Sequence, residues 1–438
     1  MKTKNKLANA LVMLTILIFV ASCGSDDNNA IPPDEISEPD PIQENTPPES
    51  FNLIAVADNE IDVDVRPNFS WEAAKDPDGD PVTYELHLTD NYNDFLIHPN
   101  TENQPNPLYS ENFSFLAFQA TESLGLLKDY YWRVVAKDNR GGRRASTIHS
   151  FRTRGLRIPD GPITSNTQFN GSGRTSVVFD DKIWVIGGGS SDVRYSENGI
   201  NWTESTSNAQ FPWRAEHTSV VFDDKMWVIG GSGTFVNDDV WYSENGKNWT
   251  EVTTSAQFSW RTRHTSVVFD DKMWVIGGLR PNGERLNDVW YSEDGENWIE
   301  ATANAQFSAR INHTSVVFDG KVWVIGGSGD NLEIFTDVWY SKDGKDWTQA
   351  TANAQFSSRR NHTSVVFDDK IWVIGGGGNG GSLNDVWYSA NGTEWNQVAN
   401  DASFPERSGH TSVVFDNKIW VIGGQNADGP QNNVWALD

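Results

Sequence analysis

The chain has 438 residues, with 34 Lys and Arg against 60 Asp and Glu, which gives a formal net charge of −26 at pH 7. A surface this acidic repels phosphate backbones and anionic headgroups, so nucleic acid is excluded as a partner. The single cysteine excludes an internal disulfide and a cysteine-based metal centre, and the length predicts two domains.

The N-terminus has the pattern of an export signal. Three lysines within the first six residues precede an apolar run from Leu7 to Val20, which is shorter than the ~20 residues that cross a bilayer. The run ends in Val-Ala-Ser-Cys, which resembles the lipobox of bacterial lipoproteins. This resemblance implies that residues 1–22 are a lipoprotein signal peptide and that Cys23 carries the lipid that anchors the protein to a membrane.

Residues 23–49 are rich in Pro, Asp and Glu and nearly free of large apolar side chains, so we predict a disordered tether. The acidic Ser-Asp-Asp just behind Cys23 resembles the surface-export signal of Bacteroidetes lipoproteins. That resemblance implies an outer-membrane lipoprotein exposed on the cell surface.

Residues 50–154 alternate apolar and polar side chains in short runs separated by turn signals, which predicts a β-sandwich. A Trp in an early strand (Trp71), a late strand "YYWRVV" and the closing "SFRTR" resemble a fibronectin type III domain. Within this segment Asp76, Asp78 and Asp80 offer oxygen ligands for Ca²⁺, but a Pro/Gly-shaped turn with solvated carboxylates explains the same residues, and we favour the turn.

From residue 157 to residue 438 the chain repeats itself. The motif Thr-Ser-Val-Val-Phe-Asp occurs six times at intervals of about 43–49 residues, and each unit contains four strand-like runs, A to D. Within a unit, Gly277-Gly278, Tyr291 and Trp298 resemble the kelch repeat, and the pattern recurs in other units. We therefore predict an all-β chain in which a fibronectin type III-like sandwich precedes a six-bladed kelch-type β-propeller.

The last unit stops after its strand C, whereas residues 157–169 precede the first strand A. We predict that this N-terminal piece, in which Gln168-Phe169 aligns with the "AQF" of other units, supplies the fourth strand of the sixth blade and closes the ring. The repeated Trp residues of strands B and C are predicted to be core, because each can bury ~150–250 Å² between blades.

The antiparallel order of strands predicts two different faces. The A–B and C–D turns, which are nearly identical in every unit, share one face, and the variable B–C loops share the other with the D–A connections. Because binding usually resides in varied loops on a rigid scaffold, we place the functional site on the B–C/D–A face.

An Arg-x-x-His motif ends five of the D–A connections, and the first unit departs from it with Gly171 and Arg174. Guanidinium groups pair bidentately with carboxylates, so a ring of arginines suits a sialic acid, a uronic acid or an acidic peptide. The alternative is that arginines and histidines tie neighbouring blades together. The candidate ligand-binding arginines are Arg214, Arg261, Arg310, Arg359 and Arg407.

Trp213 and Trp260 each precede one of these arginines and do not recur in later units, so we predict that they stack on a ligand. No metal site is expected from the histidines, because six-fold geometry spreads them beyond the ~2.0–2.1 Å bonds of one ion. No cofactor is expected, and the protein is expected to be a monomer.

The sequence contains no recognisable catalytic set, and it favours a binding module over an enzyme. Copper oxidases of the galactose oxidase type carry kelch repeats but need a Cys-modified Tyr, which this chain cannot supply. The enzymatic alternative is a protein similar to the six-bladed kelch sialic acid mutarotases, with Glu216 or Glu284 as an acid–base group. A third possibility is a structural spacer in an envelope assembly. The favoured function is a lipid-anchored envelope protein whose propeller binds a glycan or a protein on the B–C/D–A face.

Overall fold

The computed structural model describes residues 44–97, 112–165, 167, 173–399 and 402–438. The predicted signal peptide, the lipidation site Cys23 and most of the predicted tether lie outside these residues. Within the described part of the chain, no helix has the length and apolarity that a bilayer crossing requires.

The N-terminal domain is a sandwich of two sheets. The first sheet pairs β1, β3 and β6, and the second has the order β2-β9-β7-β4-β5 with β8 on β7. Side chains from both sheets, including Trp71 and Trp132, form one buried cluster. The domain also contains helix α1, Asn93–Ile97, and its strands are β1 Leu53–Ala55, β2 Glu60–Val63, β3 Asn68–Trp71, β4 Thr83–Thr89, β5 Asn112–Phe113, β6 Ala117–Gln119, β7 Asp129–Lys137, β8 Arg143–Ala145 and β9 His149–Thr153.

The rest of the chain forms six antiparallel sheets, here called blades 1 to 6, each running from strand A to strand D. The A strands are Arg174–Phe179, Thr218–Phe222, Thr265–Phe269, Thr314–Phe318, Thr363–Phe367 and Thr411–Phe415. The B strands are Lys182–Gly187, Lys225–Ser232, Lys272–Leu279, Lys321–Ile325, Lys370–Gly378 and Lys418–Ile422. The C strands are Val193–Ser196, Val236–Ser243, Arg285–Ser292, Val338–Ser341, Gly381–Ser389 and Val434–Leu437. The D strands are Thr203–Thr206, Thr250–Thr253, Ile299–Thr302, Trp347–Thr351 and Asn396–Ala399.

The B–C loops differ from blade to blade. In blades 2, 3 and 5, strands B and C extend into hairpins that reach beyond the length of strand A. Blade 4 has a 3-10 helix, Asp330–Leu332, in the same place, and blade 6 has a small ladder, Gln425–Asn426 with Gly429–Pro430. The prediction that sequence variation is concentrated in the B–C loops thus corresponds to real differences in backbone.

The ring is closed. Every A strand packs against the A strand of the next blade, and the A strand of blade 6 packs against that of blade 1. Strand C of blade 6 pairs with the N-terminal piece, since Ile163 donates to the carbonyl of Val434 at 2.8 Å and Thr167 donates to that of Asn432 at 2.9 Å. The predicted closure is therefore confirmed for the described residues, although Gln168 and Phe169 lie outside them.

The A–B turns of the six blades share one backbone conformation, because the residues at their two central positions favour the same type of hairpin turn. Two-residue hairpins that match the strand twist need positive φ at both central residues, which Asp, Asn and Gly tolerate. Asp180 and Asp181 have φ of 49° and 51°, and the equivalent pairs of the other blades take the same conformation. The "DDK" segments are thus turns, as predicted.

The repeated strand-B tryptophans are core, as predicted. Each indole N–H donates to the carbonyl of the Phe that ends its own strand A. Five of the rings press on a glycine in the C–D turn of the next blade, where a Cβ would lie within about 2.2 Å of the ring, so only glycine fits. The glycines are Gly199, Gly246, Gly295, Gly344 and Gly392.

Trp372 of blade 5 is the exception, because blade 6 has no C–D turn in this chain. Instead Trp372 is fully buried in a cluster that includes Leu126 of the sandwich and Leu156 of the following segment. The backbone N–H of Leu126 also donates to Asp368, in the A–B turn of blade 5, at 2.6 Å. The sandwich thus occupies the place of the missing turn, and it docks on the A–B/C–D face of the ring.

Candidate functional site

The five predicted ligand-binding arginines are interior residues. Arg214, Arg261, Arg310, Arg359 and Arg407 are all 0% exposed. Four of them form bidentate pairs at 2.8–2.9 Å with an Asp in strand C, or just before it, in the same blade. These aspartates are Asp239, Asp288, Asp337 and Asp385. The prediction that the arginines receive a ligand's carboxylate is corrected, because their guanidinium groups are covered and already paired.

Each of these arginines also ties strand B to the D–A connection. Arg310 Nη1 donates to the carbonyl of Gly326 at 2.9 Å, and its guanidinium lies over the ring of Phe307. Gly326 has φ of 57°, and a Cβ there would lie 3.0 Å from the carbonyl oxygen of Arg359 in the next blade. The first glycine of the Gly-Gly pair is therefore required by a close contact between blades.

Blade 6 lacks the carboxylate of this arrangement. Arg407 faces Asn433, whose Oδ1 accepts from Nη1 at 3.0 Å, whereas Nη2 has no hydrogen-bond partner among the described residues. Burial lowers the pKa of Arg407 to about 10. Within the described part of the chain, the buried guanidinium of Arg407 therefore has no carboxylate to balance its charge and lacks a hydrogen bond at Nη2.

Replacing Asn433 by Asp should therefore stabilise the protein. The second carboxylate oxygen would reach Nη2 of Arg407, as in the other four blades, and we expect the free energy of unfolding to rise by about 1–3 kcal/mol. Denaturant unfolding of Asn433→Asp against Asn201→Asp, an exposed change of the same charge, measures the effect. A gain no larger than that of the control would contradict the prediction.

The histidines of the motif join neighbouring blades. His217, His264, His313, His362 and His410 are each 4–5% exposed. Each Nε2 lies 2.9–3.1 Å from a Thr hydroxyl in strand A of the preceding blade. This Thr is the first residue of its strand in every blade but blade 1, where it is Thr175 and follows Arg174. That hydroxyl also contacts the Ser of the next strand A, and the last contact, Ser176 to Thr411, completes a ring of hydroxyl pairs.

Burial, reinforced by the adjacent arginines, keeps these imidazoles neutral. The pKa of His217, His264 and His410 is lowered to about 3, and those of His313 and His362 are lowered well below 6.5. Each imidazole contacts a neighbouring blade and is nearly inaccessible. The arrangement therefore serves the joints between blades rather than acid–base chemistry near neutral pH.

The residue that precedes each histidine forms a second ring, which the sequence analysis missed. Its members have positive φ and are half-buried at the mouth of the central channel, on the B–C/D–A face. Five backbone N–H groups donate to the preceding member's carbonyl at 2.9–3.1 Å. The members are Gly173, Glu216, Arg263, Asn312, Asn361 and Gly409. Their side chains differ within a nearly invariant segment, and that contrast was the signal in the sequence.

This channel-mouth ring is asymmetric in charge. Arg263 Nε lies 3.0 Å from a carboxylate oxygen of Glu216, and Thr262 donates to the other oxygen at 2.9 Å. Gly173 and Gly409 are adjacent members of this ring, on the other side of Glu216 from Arg263, and they add no side chain there. Glu216, a candidate acid–base residue in the sequence, therefore has a positioned partner, whereas Glu284 is exposed and paired with Arg280 in a B–C loop.

The two predicted ligand-stacking tryptophans are both exposed on the B–C/D–A face, Trp213 by 47% and Trp260 by 56%. Only Trp260 lines a described cavity. It stands between two adjoining cavities of about 390 and 520 Å³, together with Asp238 and Pro281. Trp213 instead rests near Gly233 of blade 2.

Two carboxyl groups beside Trp260 are shifted toward the neutral form. Burial raises the pKa of Asp238, although hydrogen bonds from Ser255 and the Trp260 side chain oppose the shift. Burial and the negative charge of Asp239 raise the pKa of Glu251. Asp238, Trp260 and the exposed Phe235 therefore form a mixed polar and aromatic cleft between blades 2 and 3.

In the sandwich, Asp76, Asp78 and Asp80 bring carboxylate oxygens within 4.8 Å of one another. Oδ1 of Asp76 accepts from the backbone N–H of the other two at 2.9 and 3.1 Å, which is a turn of the predicted kind. A guanidinium nitrogen of Arg140 also lies 3.5 Å from Asp80. The predicted turn is thus present, and the three carboxylates also remain a group that could hold a cation.

A closed ring of six blades, five with four strands and the sixth with three strands and the N-terminal piece bridged to its strand C, defines this domain as a β-propeller. Over residues 173–376 and 343–438, more than half of the chain, the sequence matches the family described as "KLHDC2/KLHL20/DRC7 Kelch-repeats domain". The chain belongs to the kelch-repeat family.

A solved structure titled "Structure of YjhT" is similar to this chain, with a TM-score of 0.55 and 15% sequence identity. The similarity covers 63% of this chain and 96% of that one. At this identity the match shows the fold alone. No curated protein matches the chain.

Proposed function

We propose that the protein is a lipid-anchored component of the cell envelope whose propeller binds a glycan or a protein through the B–C/D–A face. The observation that carries this proposal is the position of the sandwich, which docks at the A–B turns of blades 5 and 6. The N-terminal domain thus lies on one side of the ring, and the irregular loops lie on the other. This arrangement supports a proposal in which the variable face points away from the membrane.

The same face carries the features of a ligand site. It holds the exposed aromatic rings of Trp260 and Phe235, which line one cleft and which a protein without a partner for them would have little reason to expose together. It also holds the cleft beside Trp260, whose size falls within the ~300–1,000 Å³ of small-molecule sites. A glycan suits such a cleft better than a flat protein surface does. The proposed location is the outer membrane with the propeller at the cell surface, and the proposed state is a monomer.

A glycan array tests this function. The soluble chain from residue 24 onward, lacking the lipid, is applied to neutral and acidic glycans, and binding is expected for a limited set of related structures. Because the conserved arginines are structural, their alanine variants are unsuitable controls. Trp260→Ala is the suitable variant, since its side chain is exposed and lines the cleft, and Trp213→Ala removes an exposed tryptophan outside the described cavities. Absence of glycan binding by the folded protein would contradict a glycan ligand, and a protein partner recovered by cross-linking at this face would then replace it.

The channel-mouth ring favours a second candidate, an enzyme similar to the kelch-type sialic acid mutarotases. Interconversion of anomers removes the proton of the anomeric hydroxyl and protonates the ring oxygen, and then reverses both steps, so that no group is gained or lost. Glu216, positioned by Arg263 and Thr262, can exchange such protons. NMR detects anomer conversion directly. A rate above that of buffer, lost in Glu216→Gln but kept in Glu284→Gln, would establish the enzyme.

A further inference from the structure

Blade 2 differs from blades 3 and 5 at two adjacent positions before the strand-C aspartate, which also vary in blades 1, 4 and 6. Leu286 and Leu383 occupy the first position in blades 3 and 5, but blade 2 has Asn237. Asn287 and Asn384 occupy the second position, but blade 2 has Asp238. The asparagines have a structural role, since Asn287 Nδ2 donates to the carbonyl of Ala305 at 2.9 Å. A carboxylate cannot make that bond.

The connection from blade 2 to blade 3 differs from the next connection at two further positions. Ser255 stands where the next connection has Asn304, and Trp260, like Trp213 in the preceding connection, stands where it has Ala309. Ser255 compensates for the carboxylate, because its hydroxyl donates to Oδ2 of Asp238 at 3.0 Å. Trp260 is not buried by its neighbours, since 56% of its surface is exposed.

All four departures line the same pair of cavities. Asn237, Asp238 and Trp260 line the first, and Asp238, Ser255 and Trp260 line the second. The other blades close without these residues, so the fold does not require them. Residues that depart from a repeat and converge in one cleft indicate a site built for a ligand.

The cleft offers complementary polar groups. Nδ2 of Asn237 is buried and has no hydrogen-bond partner among the described residues, so a donor is left for a ligand. Asp238 and Glu251 supply acceptors, and Trp260, Phe235 and Pro281 supply apolar surface. The walls carry the carboxylates of Asp238 and Glu251 and one guanidinium, that of Arg280, which is already paired with Glu284, so the cleft disfavours an anionic ligand.

We propose that this cleft, formed by Asn237, Asp238, Glu251, Trp260 and Phe235, binds an uncharged pyranose residue of a glycan. The apolar face of the sugar stacks on Trp260, and its hydroxyl groups donate to the carboxylates and accept from Asn237. The proposal rests on the proposed function and narrows it, because acidic sugars are excluded from this cleft.

The repeat itself supplies variants that are expected to fold. Trp260→Ala introduces the residue of the next connection, Asp238→Asn that of blades 3 and 5, and Asn237→Leu the leucine of the same blades. Trp213→Ala is the matched control, because it removes an equally exposed tryptophan that lines neither cavity. Thermal unfolding confirms that each variant is folded before binding is measured.

The probes are neutral oligosaccharides ending in glucose, galactose or mannose and their sialylated or uronic-acid counterparts, measured by array and by calorimetry. We expect the wild type and Trp213→Ala to bind a neutral probe, and each of the three repeat-residue variants to bind it about 10-fold or more weakly. Binding of acidic probes only, or neutral binding that survives Trp260→Ala, would overturn this inference and leave the proposed function standing. Binding of no glycan would overturn this inference together with the glycan form of the proposed function, and would leave a protein ligand as its remaining form.

Discussion

Lowering the pH from 7 to 5 should strongly destabilise the propeller. The five inter-blade histidines are held neutral, with pKa values lowered to about 3 in three of them, whereas an unfolded histidine titrates near 6.5. The folded pKa is the lower one, so this stability is fully present above about pH 6.5 and is lost as the pH falls toward the folded value. Each histidine should cost about 1 kcal/mol between pH 6 and pH 5.

Denaturant unfolding at half-unit steps from pH 7.5 to pH 5 measures this dependence. Most carboxylates titrate below that window, so the slope reports the histidines. Replacing one of them, as in His313→Gln, should reduce the slope by about a fifth. A stability that is flat from pH 7 to pH 5 would show that the imidazoles become protonated in the folded ring, contrary to the buried geometry.

Removing one of the buried arginines should be the most damaging single change on the B–C/D–A face. Arg310→Met leaves the carboxylate of Asp337 buried opposite an apolar group, and we expect the free energy of unfolding to fall by about 3–5 kcal/mol. Most of this loss comes from the negative charge of Asp337, which is left buried without a partner, and less of it comes from the missing attraction to Arg310. A glycan-binding assay on such a variant would therefore report unfolding.

A second substitution separates these two causes. Asp337→Asn in the Arg310→Met background removes the unpaired charge, and its amide oxygen can still accept from Trp339, as Asn433 accepts from Trp435 in blade 6. The double variant should recover part of the lost stability. If Arg310→Met unfolds at the same denaturant concentration as the wild type, the arginine does not stabilise the ring, and its burial would need another explanation.

The propeller architecture was predictable because one motif occurs six times in the sequence. Copies of one motif at a regular interval predict a ring, and the absence of a fourth strand after the last strand C predicts where residues near Ile163 must go. The docking of the sandwich was not predictable. It depends on Trp372, which has no C–D turn of a next blade to pack against, and on Leu126, which no sequence pattern marks as a contact residue.

The site was predicted less well, for two physical reasons. The arginines allowed two interpretations in the sequence, a ligand-binding ring or structural ties, and four of the five pair with the repeated Asp that precedes "VWY", as in Asp288. The residue just before each His varies between units, and the sequence pointed to Glu216 but not to Arg263, because no pattern shows that the two lie side by side. Trp260 was predicted to contact a ligand because no tryptophan occurs at its position in later units. Asn237 and Asp238 also do not recur in later units, so the same criterion identifies them.

The seam between the two ends of the propeller has a consequence for how the molecule assembles. Thr167 bonds to Asn432, 265 positions later, and Arg154 bonds to Asp438, 284 positions later. Contacts this distant along the chain form late, since the entropy of closing the loop is paid before they contribute. During folding, the strand edges of the earlier blades therefore stay exposed until the last residues pair, and exposed edges of this kind favour aggregation.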